Sequence, residues 1–352
     1  MAFRATDARS DLRLFRDIEA IGGVVHKSAG RDFVRYNISV LPHQLDAAAQ
    51  ILAETTFAPR FAHWDIELQK QQVQLEHAAI AACSERSVYE NVHAAAFYDD
   101  ATLGRHQAVA DNLASFSSDD LAKFYDQYVN TAGAVLVGSG IEHSTLTDIA
   151  NSYFGELSGA AAPLAKTAAK YVGGESRVKK NAKNTYVALG FQTVGYTSAD
   201  YAASHVLKAL LSQRINSKKA AGFLATYEDA GVVGLSGYAA PADAGALVDS
   251  FIAEIKKVAG AAPTAAELSA AKTSAALSVA DAASSRQGKV AQLGQSAFLQ
   301  SAAKSPFVLT ETVTAQAVQQ LAQKALASRP SLASVGKLTT VPRLDAIVNK
   351  LK

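Results

Sequence analysis

The side chains that could hold a metal ion are eight histidines and the carboxylates near them. The histidines occupy positions 26, 43, 63, 77, 93, 106, 143 and 205. No two of them have the i, i+4 spacing that places two ligands on one helix face, and neither H-E-x-x-H nor H-x-x-E-H occurs. Glu90 and His93 have the E-x-x-H spacing of di-iron bundles, but such a site needs a second pair and more carboxylates. The spacing therefore favours a structural role for this pair.

Two further pairs of histidine and glutamate also fall short of a metal site. His63 and Glu67 could share one face of a helix, but two ligands do not make a site. Glu76 and His77 are adjacent in the sequence. A helix turns adjacent side chains about 100° apart, so these two cannot chelate one ion together.

No nucleophile or phosphate-binding loop is recognisable either. Cys83 is the only cysteine, and it follows a helical apolar run without a matched base, so we predict a buried, unreactive thiol. Gly138-Ser139-Gly140 lacks the third glycine of a dinucleotide fingerprint and the helix that should follow. P-loop and G-x-S-x-G patterns are missing. The sequence therefore predicts no catalytic residue, no cofactor-binding residue and no metal ligand.

Composition and charge exclude several other classes of function. Of the 352 residues, 49% are hydrophobic and 19% are charged, which is sufficient for a packed core. The net charge of +2 gives no electrostatic case for binding nucleic acid or an anionic membrane surface. No apolar run approaches the roughly 18 residues that cross a bilayer. A single cysteine excludes a disulfide framework and indicates a reducing compartment.

The elements that would position any site occur twice along the chain. Gly22–Pro59 reads as a hairpin, a helix and a proline stop, and Phe223–Pro263 repeats this plan about 200 residues later. Leu41-Pro42 matches Ala240-Pro241. We therefore predict two related domains, residues 1–158 and 173–352. An Ala/Pro/Lys-rich linker, residues 159–172, joins them.

Each half reads as an α+β domain in which a mostly antiparallel sheet packs against helices. Apolar residues at every second position indicate strands, and apolar residues that recur every 3.6 positions indicate helices. Outside the second hairpin, the predicted strands are 24–29, 33–41, 134–139, 185–193 and 332–336, of which 134–139 is expected to be short and buried. The main predicted helices are 11–21, 45–55, 64–82, 85–96, 117–128, 200–211 and 314–327, and residues 264–298 are predicted to form a pair of helices.

The two halves differ at their beginnings. The second half has a strand and a helix, Thr185–Leu211, ahead of its hairpin, whereas the first half has only residues 1–21 there. We therefore expect the first domain to lack its opening strand or strands. Such an open sheet exposes unpaired backbone and one apolar face. Either the chain is a shortened form of a longer one, or a partner covers the gap.

Several strings resemble the pitrilysin-type (inverzincin) metallopeptidases. They are IEAIGG at 18–23, R-D-x-x-x-Y at 31–36 and the segment at 128–138. Within that family, four further strings resemble the core subunits of the mitochondrial ubiquinol–cytochrome c reductase (cytochrome bc complex, complex III). These are SVYENVHAAAF at 87–97, YVGGESR at 171–177, ATYEDAGVVGLSGYA at 225–239 and SVGKLTTVPRLD at 334–345. The resemblance spans the chain from about residue 4 to residue 351.

The resemblance implies two pitrilysin-like (LuxS/metallopeptidase-like) domains without peptidase activity. Active relatives place H-x-x-E-H on a helix ahead of the segment that begins this chain, and a glutamate near Glu76 completes their zinc site. Glu76 alone cannot hold zinc. Because family members begin with more strand and helix and with a presequence, we expect an alternative or incomplete start.

The resemblance also implies partners and a location. It implies a structural subunit without a cofactor, needed for assembly and stability of complex III. Such a subunit pairs with core protein 1 and contacts other subunits of the complex. It is peripheral to the mitochondrial inner membrane on the matrix side and has no transmembrane segment. It binds no nucleic acid.

A related class of subunit is the alternative. The α subunit of the mitochondrial processing peptidase binds presequences and partners a zinc-bearing β subunit. It uses a glycine-rich loop after the first helix of its second half. The matching segment here, Leu210–Ala221, contains no glycine, which disfavours this alternative.

Overall fold

The computed structural model describes residues 2–98, 102–107, 109–129, 133–155, 167–215, 217–298 and 310–352. Its described residues form two compact units that alternate along the chain. The first unit falls within 1–77, 108–166 and 283–303, and the second within 78–107, 167–282 and 304–352. The predicted linker at 159–172 lies where the chain passes from the first unit to the second. Residues 159–166 are outside the described part, so the domain boundaries at 158 and 173 stay a prediction.

The predicted pattern of helices and strands is largely reproduced. In chain order the helices are α1 (Asp11–Ala20), α2 (Leu45–Phe57), α3 (His63–Ala82), α4 (Ser84–Phe97), α5 (Ser118–Tyr128), α6 (His143–Phe154), α7 (Tyr201–Ile215), α8 (Ala244–Gly260), α9 (Ala265–Ser284), α10 (Arg286–Phe298), α11 (Ala315–Ala327) and α12 (Leu344–Leu351). The strands are β1 (Val24–Ala29), β2 (Val34–Ser39), β3 (Glu175–Lys179), β4 (Thr185–Thr193), β5 (Ala220–Thr226), β6 (Gly231–Ala239) and β7 (Ser331–Gly336).

The first unit contains a small, open sheet. Among its described residues, β1 and β2 pair antiparallel with each other and with no further strand. One face rests on a small core of Leu14, Ile18 and Ile51. Val24 and Val34 remain 55% and 63% exposed. The absence of opening strands from the first domain stays a prediction.

The prediction of a short buried strand at 134–139 is wrong. No ladder joins this segment to another strand in the described part of the chain, and Val135 is 42% exposed. Its counterpart in the second half, β7, is a strand because β3 and β4 flank it on both sides. The first unit lacks described equivalents of those two neighbours, so an apolar segment of the same type has nothing to pair with.

The second unit contains a five-stranded sheet in the order β3-β7-β4-β6-β5. β3 pairs parallel with β7, and every other pair is antiparallel. β4 lies in the centre, where it pairs with nine residues of β6 on one edge and five of β7 on the other. One face carries the main core, in which Leu189, Phe191 and Phe251 are fully buried between the sheet and helices α7, α8 and α11.

Helix α4 covers the opposite face of that sheet, although it comes from the first half of the sequence. Val88, Val92 and Phe97 of α4 share one apolar cluster with Ala188 of β4 and Val335 of β7. In the same way α10, from the second half of the sequence, belongs to the first unit. Each unit therefore includes one helix that the duplication assigns to the other half of the chain.

Helix starts follow the capping residues in the sequence. The side chain of Glu267 accepts hydrogen bonds from the Thr264 amide and hydroxyl, at 2.9 and 3.0 Å, while the Glu267 amide donates to the Thr264 hydroxyl. This is the predicted capping box of α9. Ser117 and Asp120 form the equivalent box at the start of α5.

The tight contact between β4 and β6 yields a stability prediction. A Cβ placed on Gly234 would collide with the carbonyl oxygen of Leu189 and lie 2.8 Å from the Cα of Gly190. We expect Gly234→Ala to lower the free energy of unfolding by about 2–3 kcal/mol. Urea unfolding followed by circular dichroism measures this loss. Gly260→Ala is the matched control, since its Cβ meets no atom within 4 Å; equal losses in both variants would contradict the close packing.

Candidate functional site

The residue that the resemblance connects with zinc lies on the surface of α3. Glu76 is exposed, and its carboxylate accepts a 3.1 Å hydrogen bond from the side-chain amide of Gln72. Across the described ranges, no three His, Cys, Asp or Glu side chains are grouped so that they could hold a metal ion. Glu76 therefore stands as a solvated helix residue, and the absence of catalytic, cofactor and metal residues stays a prediction.

Glu90 and His93 take separate structural positions on α4. His93 is buried, with Nδ1 2.6 Å from the Tyr89 carbonyl oxygen and Nε2 2.7 Å from the Tyr227 hydroxyl. Since a carbonyl oxygen only accepts, Nδ1 carries the proton and Nε2 accepts from Tyr227. The Glu90 carboxylate accepts from the Gln107 amide at 3.1 Å. Both ring nitrogens of His93 are thus occupied within the second unit, which leaves neither for a metal.

His205 on α7 is a second buried histidine, and sequence reasoning gave it no role. Its ring lies edge-on to Tyr201 at 4.8 Å, and its Nε2 has no hydrogen-bond partner among the described residues. Burial, and to a smaller extent the nearby Lys208 ammonium group, lower the pKa of His205 to about 4. His205 is therefore a neutral packing residue at physiological pH. The sequence could not predict that His205 is buried and neutral, because a single histidine on a mostly apolar helix face belongs to no motif.

The prediction that Cys83 is buried is wrong. Cys83 is exposed at the break between α3 and α4, where it is the N-cap residue of α4 and makes no side-chain capping bond. The apolar run before it, on α3, faces largely outward: Ala78, Ala79, Ala81 and Ala82 are exposed. The alanine-rich pattern thus indicated a helix, but not its burial.

The segment that corresponds to a presequence-binding loop is too short to act as one. Helix α7 continues to Ile215 and β5 starts at Ala220, so only residues 216–219 connect them. The Ser212 hydroxyl accepts from the Gly222 amide at 2.8 Å, which fixes the end of the helix against the strand. The segment Leu210–Ala221 is therefore mostly regular structure rather than a loop.

The remaining candidate for protein contacts is the open edge of β2 in the first unit. Within the described part of the chain, β2 pairs only with β1. Open backbone edges of this kind accept further strands. Nothing in this surface resembles a reaction centre, and its chemistry is that of association.

Comparison with known proteins places the chain in a family. Residues 1–109 match the family described as "Insulinase (Peptidase family M16)", and residues 115–275 match "Peptidase M16 inactive domain". The two matches cover well over half of the chain, which therefore belongs to the M16 peptidase family. This confirms the pitrilysin-type family and its two related α+β domains, the second of the inactive type.

The chain is also similar to individual mitochondrial proteins. It is 24% identical to "Cytochrome b-c1 complex subunit 2, mitochondrial" of Mus musculus, over 97% of this chain and 80% of that protein. It is 24% identical to "Probable mitochondrial-processing peptidase subunit alpha-1, mitochondrial" of Arabidopsis thaliana, over 100% of this chain and 75% of that protein. It is also 24% identical to the "Mitochondrial-processing peptidase subunit alpha" of Homo sapiens, again over 100% of this chain and 75% of that protein.

Among the helices that the structure describes, none is both long enough and apolar enough to pass through a bilayer.

The buried His205 predicts a pH dependence of stability. Its pKa of about 4 in the folded chain lies below the ordinary value of 6.5. The contribution of neutral His205 to the free energy of unfolding is therefore complete above pH 6.5. It is lost as the pH falls towards 4, because between these two pH values only the unfolded chain takes up the proton. We expect the free energy of unfolding to fall by about 1–2 kcal/mol between pH 7.5 and 5 through this residue.

Urea unfolding at both pH values, in the native chain and in His205→Gln, isolates this contribution. The variant should lose less stability on acidification than the native chain. Equal losses in the two proteins would show that His205 is protonated or accessible in the fold.

Proposed function

We propose that the chain is a non-catalytic structural subunit of the mitochondrial ubiquinol–cytochrome c reductase, in the position of core protein 2. The observation that carries this proposal is the similarity to subunit 2 of the cytochrome b-c1 complex along 97% of the chain. The match of residues 115–275 to the inactive M16 domain agrees with a subunit that does no peptidase chemistry. Its role in the complex is assembly and stability, while other subunits transfer the electrons from ubiquinol to cytochrome c.

The finer parts of the proposal are the partner and the location. We place the chain beside core protein 1 as a heterodimer, peripheral to the mitochondrial inner membrane on the matrix side. The similarity to subunit 2 of the cytochrome b-c1 complex supports membership in that complex, in which the proposed partner would be a neighbouring subunit. The lack of a membrane-crossing helix among the described residues agrees with a peripheral position.

The α subunit of a mitochondrial processing peptidase is the second candidate. The specific observation in its favour is the full-length similarity to such subunits of Arabidopsis thaliana and Homo sapiens. The four-residue connection between α7 and β5 speaks against it, because a presequence-binding loop has no room there.

Native electrophoresis of gently solubilised mitochondrial membranes from the source organism separates the two functions. We expect the chain, detected by antibody, to migrate with haem in a complex of several hundred kilodaltons. Migration in a small, haem-free pair that cleaves presequences would overturn the proposal in favour of the processing peptidase. Protease digestion of mitoplasts, before and after detergent, tests the matrix-side location; digestion before detergent would contradict it.

A variant of Glu76 tests the non-catalytic role. In cells that lack the endogenous chain, Glu76→Gln should restore ubiquinol–cytochrome c reductase activity to the native level, because Glu76 is exposed and its carboxylate accepts a hydrogen bond from a glutamine side chain. Gly234→Ala, which disturbs β4 packing, should reduce the amount of assembled complex at elevated temperature. A Glu76→Gln chain that assembles normally but gives an inactive complex would falsify the structural role.

A further inference from the structure

Basic residues collect at one end of the five-stranded sheet in the second unit. Four connections lie at this end: 180–184 between β3 and β4, 217–219 directly before β5, 240–243 after β6 and 337–343 after β7. Together with the last residue of β3, they carry seven basic residues and one acid, Asp243. The basic residues are Lys179, Lys180, Lys183, Lys218, Lys219, Lys337 and Arg343. The net charge of +2 for the whole chain conceals this concentration.

The strand register places these residues side by side. Lys179, the last residue of β3, pairs with Gly336 at the end of β7. Since β4 is antiparallel to both β6 and β7, its first residue lies at the end of both. β5 begins at that end too, because the Tyr238 amide donates to the Lys219 carbonyl oxygen at 3.0 Å. Five strands spaced about 4.8 Å apart give a row of strand ends about 19 Å long.

The opposite end of the same sheet has no such charge. Among the described residues, its connections are 167–174, 194–200, 227–230 and 328–330. They carry three acids and two bases, namely Asp200, Glu228, Asp229, Lys170 and Arg329. The positive charge is therefore a property of one end of the sheet and not of its connections in general.

Five of the seven basic side chains are available to an anion. All five are exposed, and within the described part of the chain none of them forms an ion pair or a side-chain hydrogen bond; they are Lys179, Lys183, Lys218, Lys219 and Lys337. Lys180 differs, because its ammonium group donates to the carbonyl oxygens of Ala81 and Ala82 at 3.0 and 2.6 Å. Like charges so close together repel, so a bound anion lowers the electrostatic energy of this end of the sheet.

The backbone that carries these lysines is fixed by the fold itself. The Thr185 hydroxyl donates to the Lys337 carbonyl oxygen at 2.8 Å, and the Lys180 amide donates to the Gly336 carbonyl oxygen at 3.0 Å. The Arg177 guanidinium donates to three carbonyl oxygens in the connection after β7, at distances between 3.0 and 3.2 Å. Binding therefore orders only the lysine side chains and costs little backbone entropy.

The surroundings of the lysines indicate which kind of anion fits. The residues between them are polar or small, namely Asn181, Ala182, Asn184 and Ser217. Surfaces that bind a bilayer combine basic residues with apolar or aromatic anchors, and base stacking on nucleic acid needs exposed aromatic rings. The four connections have no large apolar side chain among their exposed described residues. Lysine ammonium groups are point charges, which pair with carboxylates without a fixed geometry.

We propose that this end of the sheet binds an extended acidic segment of another protein, with its carboxylates along the row of lysines. An extended chain rises about 3.3 Å per residue, so about six residues span the row. Charge complementarity favours such a segment over a neutral or basic one. The inference concerns the second unit alone and does not depend on the proposed function.

Cross-linking of the purified 352-residue chain to a synthetic peptide of six glutamates tests the location. A water-soluble carbodiimide joins a carboxylate to a lysine amine in contact with it, and mass spectrometry of the digested product identifies the lysine. We expect the cross-links to concentrate on Lys179, Lys183, Lys218, Lys219 and Lys337. Cross-links spread evenly over the other exposed lysines would overturn the proposal.

Removal of two lysines tests the charge. Lys218→Gln combined with Lys219→Gln should weaken binding of the fluorescently labelled peptide about tenfold at low salt, because two exposed ion pairs are lost. Lys27→Gln combined with Lys123→Gln is the matched control: it removes the same charge from exposed positions in the first unit and should bind like the native chain. Equal weakening in both double variants would contradict a specific site. The cross-linking result on the native chain is independent of how the variants fold.

Anionic vesicles are the competing source of negative charge. Vesicles rich in phosphatidylglycerol should displace the labelled peptide less well than unlabelled peptide does at the same concentration of negative charge. Better displacement by the vesicles would overturn the proposal in favour of an anionic membrane. These outcomes leave the electrophoretic test of complex membership unaffected.

Discussion

Backbone hydrogen bonding across a central strand is the constraint on which this protein depends. In the second unit β4 is paired on both edges and covered on both faces, so its polar backbone is satisfied and its side chains enter two apolar clusters. Gly190 and Gly234 lie opposite each other in neighbouring strands and allow that close approach. In the first unit the same constraint is unmet, and its sheet consists of a single hairpin in the described residues.

The same constraint determines the position of α4. The face of a five-stranded sheet must be covered by apolar side chains, and Val88, Val92 and Phe97 provide them. His93 can then be buried because Tyr89 and Tyr227 satisfy both of its ring nitrogens. His93, for which the sequence favoured a structural role, is thus part of the packing between α4 and the sheet.

Local signals made much of the fold predictable. The capping box at Thr264 and Glu267 marked the start of α9, and the apolar run at 185–193 gave the bounds of β4. The errors arose where structure depends on distant partners. Residues 134–139 have strand-like composition but no paired strand among the described residues. Cys83 follows an apolar helix whose alanines face outward.

The order of the elements along the chain has a consequence for synthesis. Helix α4 ends at residue 97, but β7, against which it packs, is complete only at residue 336. At about 5–20 residues per second, roughly 10–50 seconds separate the two during translation. Strands β4 and β6, which α4 also contacts, are complete by residue 239, so α4 first packs on a partial sheet. Its full apolar contact forms only when β7, the last strand, has been made.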